Sequence, residues 1–311
     1  MNQAAPVRAA VVGVGHLGRH HARVLASLPD VTLVGVVDAD AARAADIAHA
    51  TGAPVVPRVA DLIGQVDAVS VAVPTEAHAA VAIPLLDAGI HVLVEKPMTR
   101  SIAEADALLA ASAHSGAILA VGHIEHFNPA VQAARPHIQD PRFIEVHRLG
   151  TFPERSLDID VVFDLMIHDI GLVLEVVGSD VVGIEAVGVP VLTPRVDIAN
   201  ARLKFANGCI ANLTASRISR DQVRKIRFFQ RNTYLSVDYK AQEVEVWRLV
   251  PQAGAMPRID GGKLDVQRDE PLKRELADFI GAVRERRTPG VTGAQGRAAL
   301  VLANEIVSRM G

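Results

Sequence analysis

The first 122 residues alternate short apolar runs with Ala-rich stretches of helical character, and this rhythm constrains the fold more than any other feature. Short apolar runs suit strands that are buried on both faces, and a helix between successive strands makes them parallel with right-handed crossovers. The predicted strands are 8–12, 32–37, 68–73, 91–95 and 117–121. The predicted helices are 17–27, 41–50, 76–88 and 102–115. The sequence therefore predicts an α/β domain over residues 1–122.

The rhythm changes after Gly122. A helical segment over 160–177 precedes runs rich in Val, Ile, Thr and aromatic residues, and turns such as Asn207-Gly208 between them favour an antiparallel sheet. The predicted strands are 182–193, 197–206, 209–218, 223–231, 233–239 and 243–250, followed by a loop over 251–269 and helices over 271–286 and 293–309. We therefore expect a second, α+β domain over 123–311 with an open, mainly antiparallel sheet. Packing of the last helices on the first domain is an open alternative.

A glycine-rich turn follows the first predicted strand. Gly13, Gly15 and Gly18 fill the G-x-G-x-x-G pattern, with His16 and Leu17 inside it. The first glycine permits the tight turn, the second lets a pyrophosphate approach the backbone, and the third lets the helix lie close to the strand. The N–H groups at the start of the helix then face the phosphates. Glycines at such a turn also serve packing alone, so the pattern needs support from its surroundings.

Asp38 gives that support. It ends the second predicted strand, twenty residues after Gly18, where a dinucleotide-binding domain places a carboxylate on the adenosine ribose. A mere helix-capping role for Asp38 is the alternative, but Asp40 is better placed to cap. Because Asp38 would repel a 2′-phosphate, we expect NAD rather than NADP, and Arg43 is the one residue able to soften this preference.

Four further motifs carry a family resemblance: AVPTEAH after the third strand, VEKP after the fourth, and then GHIEHFNPAV and DLMIHDIG. With them the sequence resembles the glucose-fructose oxidoreductase, inositol dehydrogenase and rhizopine-catabolism family of nicotinamide-dependent sugar dehydrogenases, over nearly the whole chain. The resemblance implies a Rossmann domain, a second α+β domain with an open sheet, and a site between the two domains.

The resemblance also implies catalytic roles for Lys96, Asp164 and His168. Oxidation of a secondary alcohol needs a base and a group that stabilises charge on the same oxygen. Asp164 and His168 are four residues apart and share one face of a helix, and Lys96 follows a strand. The base is either His168, whose side chain titrates near neutral pH, or Lys96, whose pKa would fall when buried beside a nicotinamide cation. A surface ion pair would explain either motif alone but not both together.

Further residues are expected at the site. The resemblance implies cofactor contacts by Pro74, Thr75 and His78, and we also expect Glu95 and Lys96 to contact the cofactor. Substrate contacts are expected from His123, Asn128, Arg155 and Arg217. The basic segment SRISRDQVRKIR favours Arg217, because a guanidinium at a strand end suits a diphosphate, although a solvated loop is the simpler alternative.

The motifs also indicate a substrate class. GHIEHFNPAV, DLMIHDI and LTASRIS most resemble the branch of the family that oxidises the 3-hydroxyl of UDP-N-acetylglucosamine. We therefore expect an NAD-dependent oxidoreductase that acts on a nucleotide sugar. The alternatives are a dehydrogenase of a free sugar or of a cyclitol such as inositol, and an NAD-binding regulator that has lost catalysis.

Charge and cysteine content narrow the expected partners. A formal charge of -3 gives no electrostatic reason to expect nucleic acid or an anionic membrane, and Cys209 alone cannot form an intramolecular disulfide. No metal is expected, because the HIEH segment does not match the helical zinc pattern.

The N-terminus shows no export signal. We expect a cytoplasmic homodimer or homotetramer, since segments such as VVGIEAVGVPVL place apolar residues on more than one face of the second sheet.

Overall fold

The computed structural model describes residues 5–152, 159–252 and 255–310. The chain divides into two compact units. The first unit comprises residues 1–124 and 270–298, and the second comprises residues 125–269 and 299–311. Within the described ranges, every helix is too short or too polar to cross a membrane.

The first unit has the predicted alternation of strands and helices. Its strands are β1 (Val7–Val12), β2 (Val31–Val37), β3 (Ala68–Val71), β4 (His91–Glu95) and β5 (Leu119–Gly122). The helices between them are α1 (Gly18–Ser27), α2 (Ala41–Thr51), α3 (His78–Asp87) and α4 (Ile102–Ser115). Two N-caps follow from the sequence: Asp40 accepts the N–H groups of Ala42 and Arg43 in α2, and Ser101 forms a capping box with Glu104 in α4.

The five strands form one parallel sheet in the order β2-β1-β3-β4-β5. The strand order reverses between β1 and β3, and such a switch point opens a crevice at the carboxyl ends of the strands where parallel sheets bind ligands. Those ends lead into the glycine-rich turn, Asp38, Pro74 and Lys96. The predicted α/β domain is therefore confirmed, and its sheet brings the predicted cofactor residues to one edge.

The second unit is built on a larger sheet. Its helices α5 (Pro129–Ala134) and α6 (Ile167–Val177) are separated by strand β6 (Phe143–Leu149). Seven further strands follow: β7 (Val181–Val189), β8 (Ile198–Phe205), β9 (Ile210–Ser216), β10 (Val223–Gln230), β11 (Thr233–Asp238), β12 (Glu243–Gln252) and β13 (Ala255–Lys263). The sheet order is β13-β12-β11-β10-β6-β9-β8-β7, and every pair is antiparallel except β6 with β9. The predicted mainly antiparallel sheet is confirmed.

Two strands depart from the sequence prediction. The loop predicted over 251–269 is wrong for β13, which contains Pro257, Gly261 and Gly262 and yet pairs with β12. A strand at the edge of a sheet tolerates Pro and Gly because one side of it needs no hydrogen-bonded partner. Strand β6 was absent from the prediction, although it lies in the middle of the sheet.

The two faces of this sheet differ. Alternate residues of β8 and β9, such as Leu203 and Leu213, are buried in the core against α6. On the opposite face the amide of Asn200 donates to Thr214 Oγ1 at 2.8 Å, and Arg202 donates to Asn212 Oδ1 at 3.1 Å. This outer face is therefore mixed: polar pairs lie on β8 and β9, and the rings of Phe143 on β6 and Phe229 on β10 pack together with their centroids 5.5 Å apart. Exposed apolar residues also lie on β7, β12 and β13.

Two helices end the chain, α7 (Pro271–Glu285) and α8 (Gly293–Ser308). Helix α7 belongs to the first unit, where Leu276 and Phe279 join the core beside α1 and β1. Residues of α8 up to 298 belong to the first unit, and Ala303 and Ile306 join the core of the second.

Candidate functional site

The three glycines of the glycine-rich turn differ in how much room their surroundings leave for a side chain. Gly13 has φ +84°, and a Cβ on it would lie 2.6 Å from the Val73 nitrogen. A Cβ on Gly18 would lie 1.7 Å from the Gly13 oxygen. A Cβ on Gly15 would only reach ordinary contact, 3.6 Å from Arg43 Nη1. Packing therefore explains Gly13 and Gly18, whereas open space at Gly15 fits the approach of a cofactor pyrophosphate.

Asp38 lies beside this turn, with its side chain 7% exposed. Its Oδ2 accepts the Val14 N–H at 2.8 Å, and its Oδ1 accepts the Asp40 N–H at 2.9 Å. Arg43 Nη1 lies 3.4 Å from Oδ1. Asp40 caps α2, as the sequence predicted, so Asp38 does not serve as the cap. The residues of the turn and Asp38 thus fit the ribose and pyrophosphate of a dinucleotide; the side chains of His16 and Leu17 are exposed there.

The loop after β3 carries the other predicted cofactor residues. Pro74 is exposed and Thr75 half-buried in a 3₁₀ turn, but the His78 ring is buried. Its Nε2 lies 2.9 Å from the Val73 oxygen, and its Nδ1 lies 3.1 Å from the Pro97 oxygen. The His78 ring thus joins this loop to the segment that follows Lys96, and its contact with the cofactor stays a prediction.

A buried cluster of two acids, an imidazole and a hydroxyl lies behind Lys96, and we call Ser70, His21, Glu95 and Glu275 the acid–imidazole cluster. His21 Nε2 lies 3.0 Å from Glu95 Oε1, and His21 Nδ1 lies 2.8 Å from Ser70 Oγ. Glu95 Oε2 accepts the Lys96 N–H at 3.1 Å. Glu95, predicted as a cofactor contact, thus turns its carboxylate inward and holds the backbone of Lys96.

Glu275 completes the cluster from α7. Its side chain is 1% exposed, and among the described residues neither carboxyl oxygen has a hydrogen-bond partner. Burial, and then the charges of Glu95 and Asp278, raise the pKa of Glu275 well above its usual value. For Glu95 burial opposes ionisation, but the hydrogen bond and charge of His21 outweigh it, so the pKa of Glu95 is lowered. Within the cluster the pKa values of the two acids therefore shift in opposite directions.

In the second unit, Asp164 and His168 lie at the start of α6. A π-helical turn over Val162–Met166 contains Asp164, and His168 is in the first turn of α6 itself. Both side chains are partly exposed. The sequence predicted a regular α-helical spacing for this pair, and the wider turn changes the angle between the two side chains.

A second buried network lies under α6, and we call Arg148, Asp169, Glu125, Asn128 and Tyr239 the guanidinium cluster. Arg148 donates through Nε and Nη2 to the two oxygens of Asp169 at 2.6 and 3.0 Å. Its Nη1 donates to Glu125 Oε1 at 3.0 Å, and its guanidinium lies 5.2 Å from the centre of the Tyr239 ring. The two carboxylates outweigh the cost of burial and raise the pKa of Arg148 above its usual value.

Asn128 belongs to this network, and its contact with substrate stays a prediction. Its amide donates to Glu125 Oε2 at 3.2 Å and to the Tyr239 oxygen at 3.0 Å. Its side-chain oxygen caps α5 by accepting the Ala130 N–H at 3.0 Å. With 2% of its surface exposed, Asn128 serves the fold.

Arg217 is held inside the second unit. The side chain is 1% exposed, and its Nε donates to Asp197 Oδ1 at 2.8 Å. Its Nη1 and Nη2 donate to the Ile159 main-chain oxygen and to Thr193 Oγ1. Its contact with a substrate diphosphate stays a prediction. Arg155, the other predicted clamp, lies outside the described residues.

His123 is buried just after β5, at 5% exposure, and its contact with substrate stays a prediction. Among the described residues, no group of three or more His, Cys, Asp or Glu side chains is arranged to hold a metal ion.

Several residues of the two clusters were missed from the sequence, although two of them left a signal. In FIEVHRL, Arg148 has the same parity as Ile144 and Val146, which places it on the inward face of a strand. Glu275 falls on the apolar stripe of α7 formed by Leu272, Leu276 and Phe279. A charged residue in an apolar stripe is the pattern that could have identified both.

The fold and the glycine-rich turn define the class: a two-unit oxidoreductase with a dinucleotide-binding Rossmann domain. A family model described as oxidoreductase family, NAD-binding Rossmann fold, matches residues 7–123, and a model of the GFO/IDH/MocA C-terminal domain matches residues 120–233. UDP-N-acetylglucosamine 3-dehydrogenase from Acidithiobacillus ferrooxidans is 40% identical to the chain over 304 residues, 96% of each sequence. The chain therefore belongs to the Gfo/Idh/MocA oxidoreductase family.

Two further comparisons agree. A solved structure of the Acidithiobacillus ferrooxidans enzyme matches with a TM-score of 0.92 at 38% identity, covering 99% of this chain and 98% of that chain. Inositol 2-dehydrogenase from Rhizobium meliloti is 27% identical over 97% of this chain and 96% of its own length. The family resemblance inferred from the motifs is confirmed.

Proposed function

We propose that the protein is an NAD-dependent dehydrogenase that oxidises the 3-hydroxyl of UDP-N-acetylglucosamine. One observation carries this proposal: the chain is 40% identical to a UDP-N-acetylglucosamine 3-dehydrogenase across 96% of both sequences. Identity over the full length includes both the dinucleotide-binding unit and the unit that carries Asp164 and His168.

The glycine-rich turn and Asp38 would hold NAD, which would supply the acceptor for the hydride of the sugar carbon. Lys96 and His168 act on the hydroxyl of that carbon, one removing its proton and the other stabilising negative charge on the oxygen. Asp164 orients the substrate beside them. The acid–imidazole cluster fixes the backbone of Lys96 through Glu95, so the ammonium starts from a rigid strand end.

Alanine substitution tests these roles. Lys96→Ala and His168→Ala should each lower kcat by roughly 100-fold or more, while the Kd for NAD in calorimetry stays within about twofold. Asp164→Asn should cost less, because it keeps the shape of the side chain. His114→Ala, an exposed histidine of α4, is the matched control and should keep full activity. Unchanged turnover in either catalytic variant would remove that residue from the mechanism.

A substrate panel tests the sugar. NADH formation should be fastest with UDP-N-acetylglucosamine, and UDP alone should raise the melting temperature and compete with substrate, whereas free N-acetylglucosamine should do neither. Turnover of inositol or glucose without any effect of UDP would refute the nucleotide-sugar substrate and leave a dehydrogenase. The inositol arm is included because an inositol 2-dehydrogenase also matches the whole chain.

Asp38 supports NAD over NADP. We expect NAD to bind at least tenfold more tightly, which corresponds to about 1.4 kcal/mol. Asp38→Ala should narrow the gap, and Arg43→Ala should widen it, since the Arg43 guanidinium lies 3.4 Å from Asp38 Oδ1 and offsets its charge. Equal affinity of the wild-type protein for the two cofactors in calorimetry would contradict the preference.

A homo-oligomer in the cytoplasm completes the proposal. Exposed apolar side chains at the two ends of the sheet are candidate contact surfaces: Val182, Val187 and Val189 on β7, and Trp247, Leu249 and Ile259 on β12 and β13. We expect a dimer or tetramer by light scattering at micromolar concentration, and a monomer there would contradict this part.

Cys209 is buried, and burial raises the pKa of its thiol to about 11, which suits a structural cysteine in a reducing compartment.

A further inference from the structure

The start of α6, where His168 lies, is held in place on both sides by contacts of aspartate residues. The π-helical turn over Val162–Met166 is wider than an α-helical turn, so hydrogen bonds within the helix do not by themselves fix the direction of His168. One side of the turn is held by Asp160, whose Oδ1 accepts the Val196 N–H at 3.0 Å and whose main-chain oxygen accepts the Asp164 N–H at 3.2 Å. The other side is held by Asp169, the residue after His168.

Arg148 holds the Asp169 carboxylate in a defined orientation. Both its oxygens accept the two-pronged guanidinium of Arg148, and both side chains are almost fully buried, at 1% and 3% exposure. A bidentate pair fixes orientation as well as distance, because two parallel hydrogen bonds remove the rotation that a single bond allows. Arg148 comes from β6, in the middle of the eight-stranded sheet, so Asp169 is tied to a central strand that is paired on both sides.

The remaining contacts fix Arg148 itself. Glu125 Oε1 accepts a hydrogen bond from Arg148 Nη1, and the Asn128 amide donates to Glu125 Oε2. The Tyr239 ring lies against the Arg148 guanidinium. A buried pair of this kind gains little net stability over apolar residues of similar size, because both ions lose their hydration. Its retention under α6 therefore calls for a role besides stability.

We propose that Arg148 is a positioning residue for the reaction: through Asp169 it sets the direction in which α6 presents His168 to the substrate. This inference rests on the proposed function, in which His168 acts on the sugar hydroxyl. Arg148 itself touches neither substrate nor cofactor in this scheme.

The test separates positioning from folding. Arg148→Met alone would leave two buried acids without their cation, so the informative variant is Arg148→Met/Asp169→Leu/Glu125→Gln, which removes all three charges together. Its kcat with UDP-N-acetylglucosamine should fall roughly 10- to 100-fold, the scale of a misplaced reacting group. The melting temperature should stay within a few degrees of wild type. The control is Arg227→Met, which breaks the half-exposed Arg227–Glu145 pair on the other face of the same sheet and should keep wild-type kcat.

A double-mutant cycle with His168→Ala decides the proposal. In the His168→Ala background the triple change should lower the residual kcat by less than about twofold, because the group it positions is already gone. Equal fold losses in both backgrounds, or wild-type kcat in the triple variant, would overturn the proposal. If the triple variant does not fold, Arg148→Lys takes its place in the same cycle, since it keeps the charge and loses the two-pronged geometry.

A substrate-free measurement keeps the two proposals apart. Amide exchange of a peptide spanning residues 160–172 should be faster in the triple variant than in Arg227→Met. Wild-type turnover in His168→Ala would refute the role of His168 in the proposed function. Unchanged amide exchange in the triple variant, with His168→Ala inactive, would refute the positioning role of Arg148 alone.

Discussion

Each unit contains a buried polar cluster, and the two clusters differ in the kind of charge on which they depend. The acid–imidazole cluster lies behind Lys96 and contains two acids whose pKa values shift in opposite directions, Glu95 downward and Glu275 upward. The guanidinium cluster lies under His168 and is organised around Arg148, which stays charged at all accessible pH values. The second cluster thus has a permanently charged member with bidentate geometry, and the first does not. Changes to the two clusters should differ most clearly in their pH dependence.

The largest effect is expected when the guanidinium cluster loses a single partner. Asp169→Leu leaves Arg148 buried with only Glu125, and we expect the free energy of unfolding to fall by roughly 3–5 kcal/mol. The deficit should be constant between pH 6 and 9, because the guanidinium does not titrate there. Urea unfolding at both ends of this range measures it.

The control for that change is Glu145→Leu, which removes the partner of Arg227. Glu145 is half-exposed, so its loss should cost only about 0–1 kcal/mol. Equal costs for the two variants would show that burial does not distinguish the pairs.

A smaller and pH-dependent effect is expected in the acid–imidazole cluster. His21→Leu removes the partner of Glu95, and we expect a loss of about 1–3 kcal/mol at pH 8. In the wild-type protein the lowered pKa of Glu95 gives stability that is present above its unfolded value of 4.5 and is lost as the pH falls through the folded value. Without His21 the buried acid instead takes up a proton, so the deficit should shrink from pH 8 to pH 5. Urea unfolding that shows the same deficit at both pH values would contradict a titrating cluster.

The most conservative substitution, Glu275→Gln, tests the buried acid whose pKa is raised. The folded pKa of Glu275 is raised above the unfolded value of 4.5, so between these two values the folded protein keeps a proton that the unfolded chain releases. Wild-type stability therefore loses up to about 1.4 kcal/mol per pH unit in this window, and glutamine removes that loss.

Melting temperatures measure the difference. Glu275→Gln should gain on wild type as the pH rises from 5 to 8, whereas Glu305→Gln, at an exposed acid of α8, should follow wild type throughout. A constant difference between Glu275→Gln and wild type would mean that Glu275 is ionised in the folded protein.

The sequence predicted the parts of this molecule that depend on local pattern. The βα alternation, the glycine-rich turn and the Asn207-Gly208 turn each leave their mark within a few residues, and the structure has all three. The family motifs further on also identified the family correctly.

The polar interior was not predicted from the sequence. Arg217 donates to Asp197, 20 residues away, and Asn128 donates to the main-chain oxygen of Tyr239, 111 residues away. The pairing of Arg148 with Asp169 joins residues 21 apart, and no local pattern states it. Burial of a polar side chain depends on partners brought together by the whole fold, so sequence patterns predicted the sheet better than its polar interior.

Gly122 has a consequence for how this sequence can vary. A Cβ on it would lie 3.1 Å from the Glu95 carboxyl carbon, so the last residue of β5 is small because the acid of β4 is long. The side chains at positions 95 and 122 therefore share one limited space on the neighbouring strands β4 and β5. Among related chains we therefore expect correlated exchange: a larger residue at position 122 should accompany a shorter one at position 95, with His21 then replaced as well.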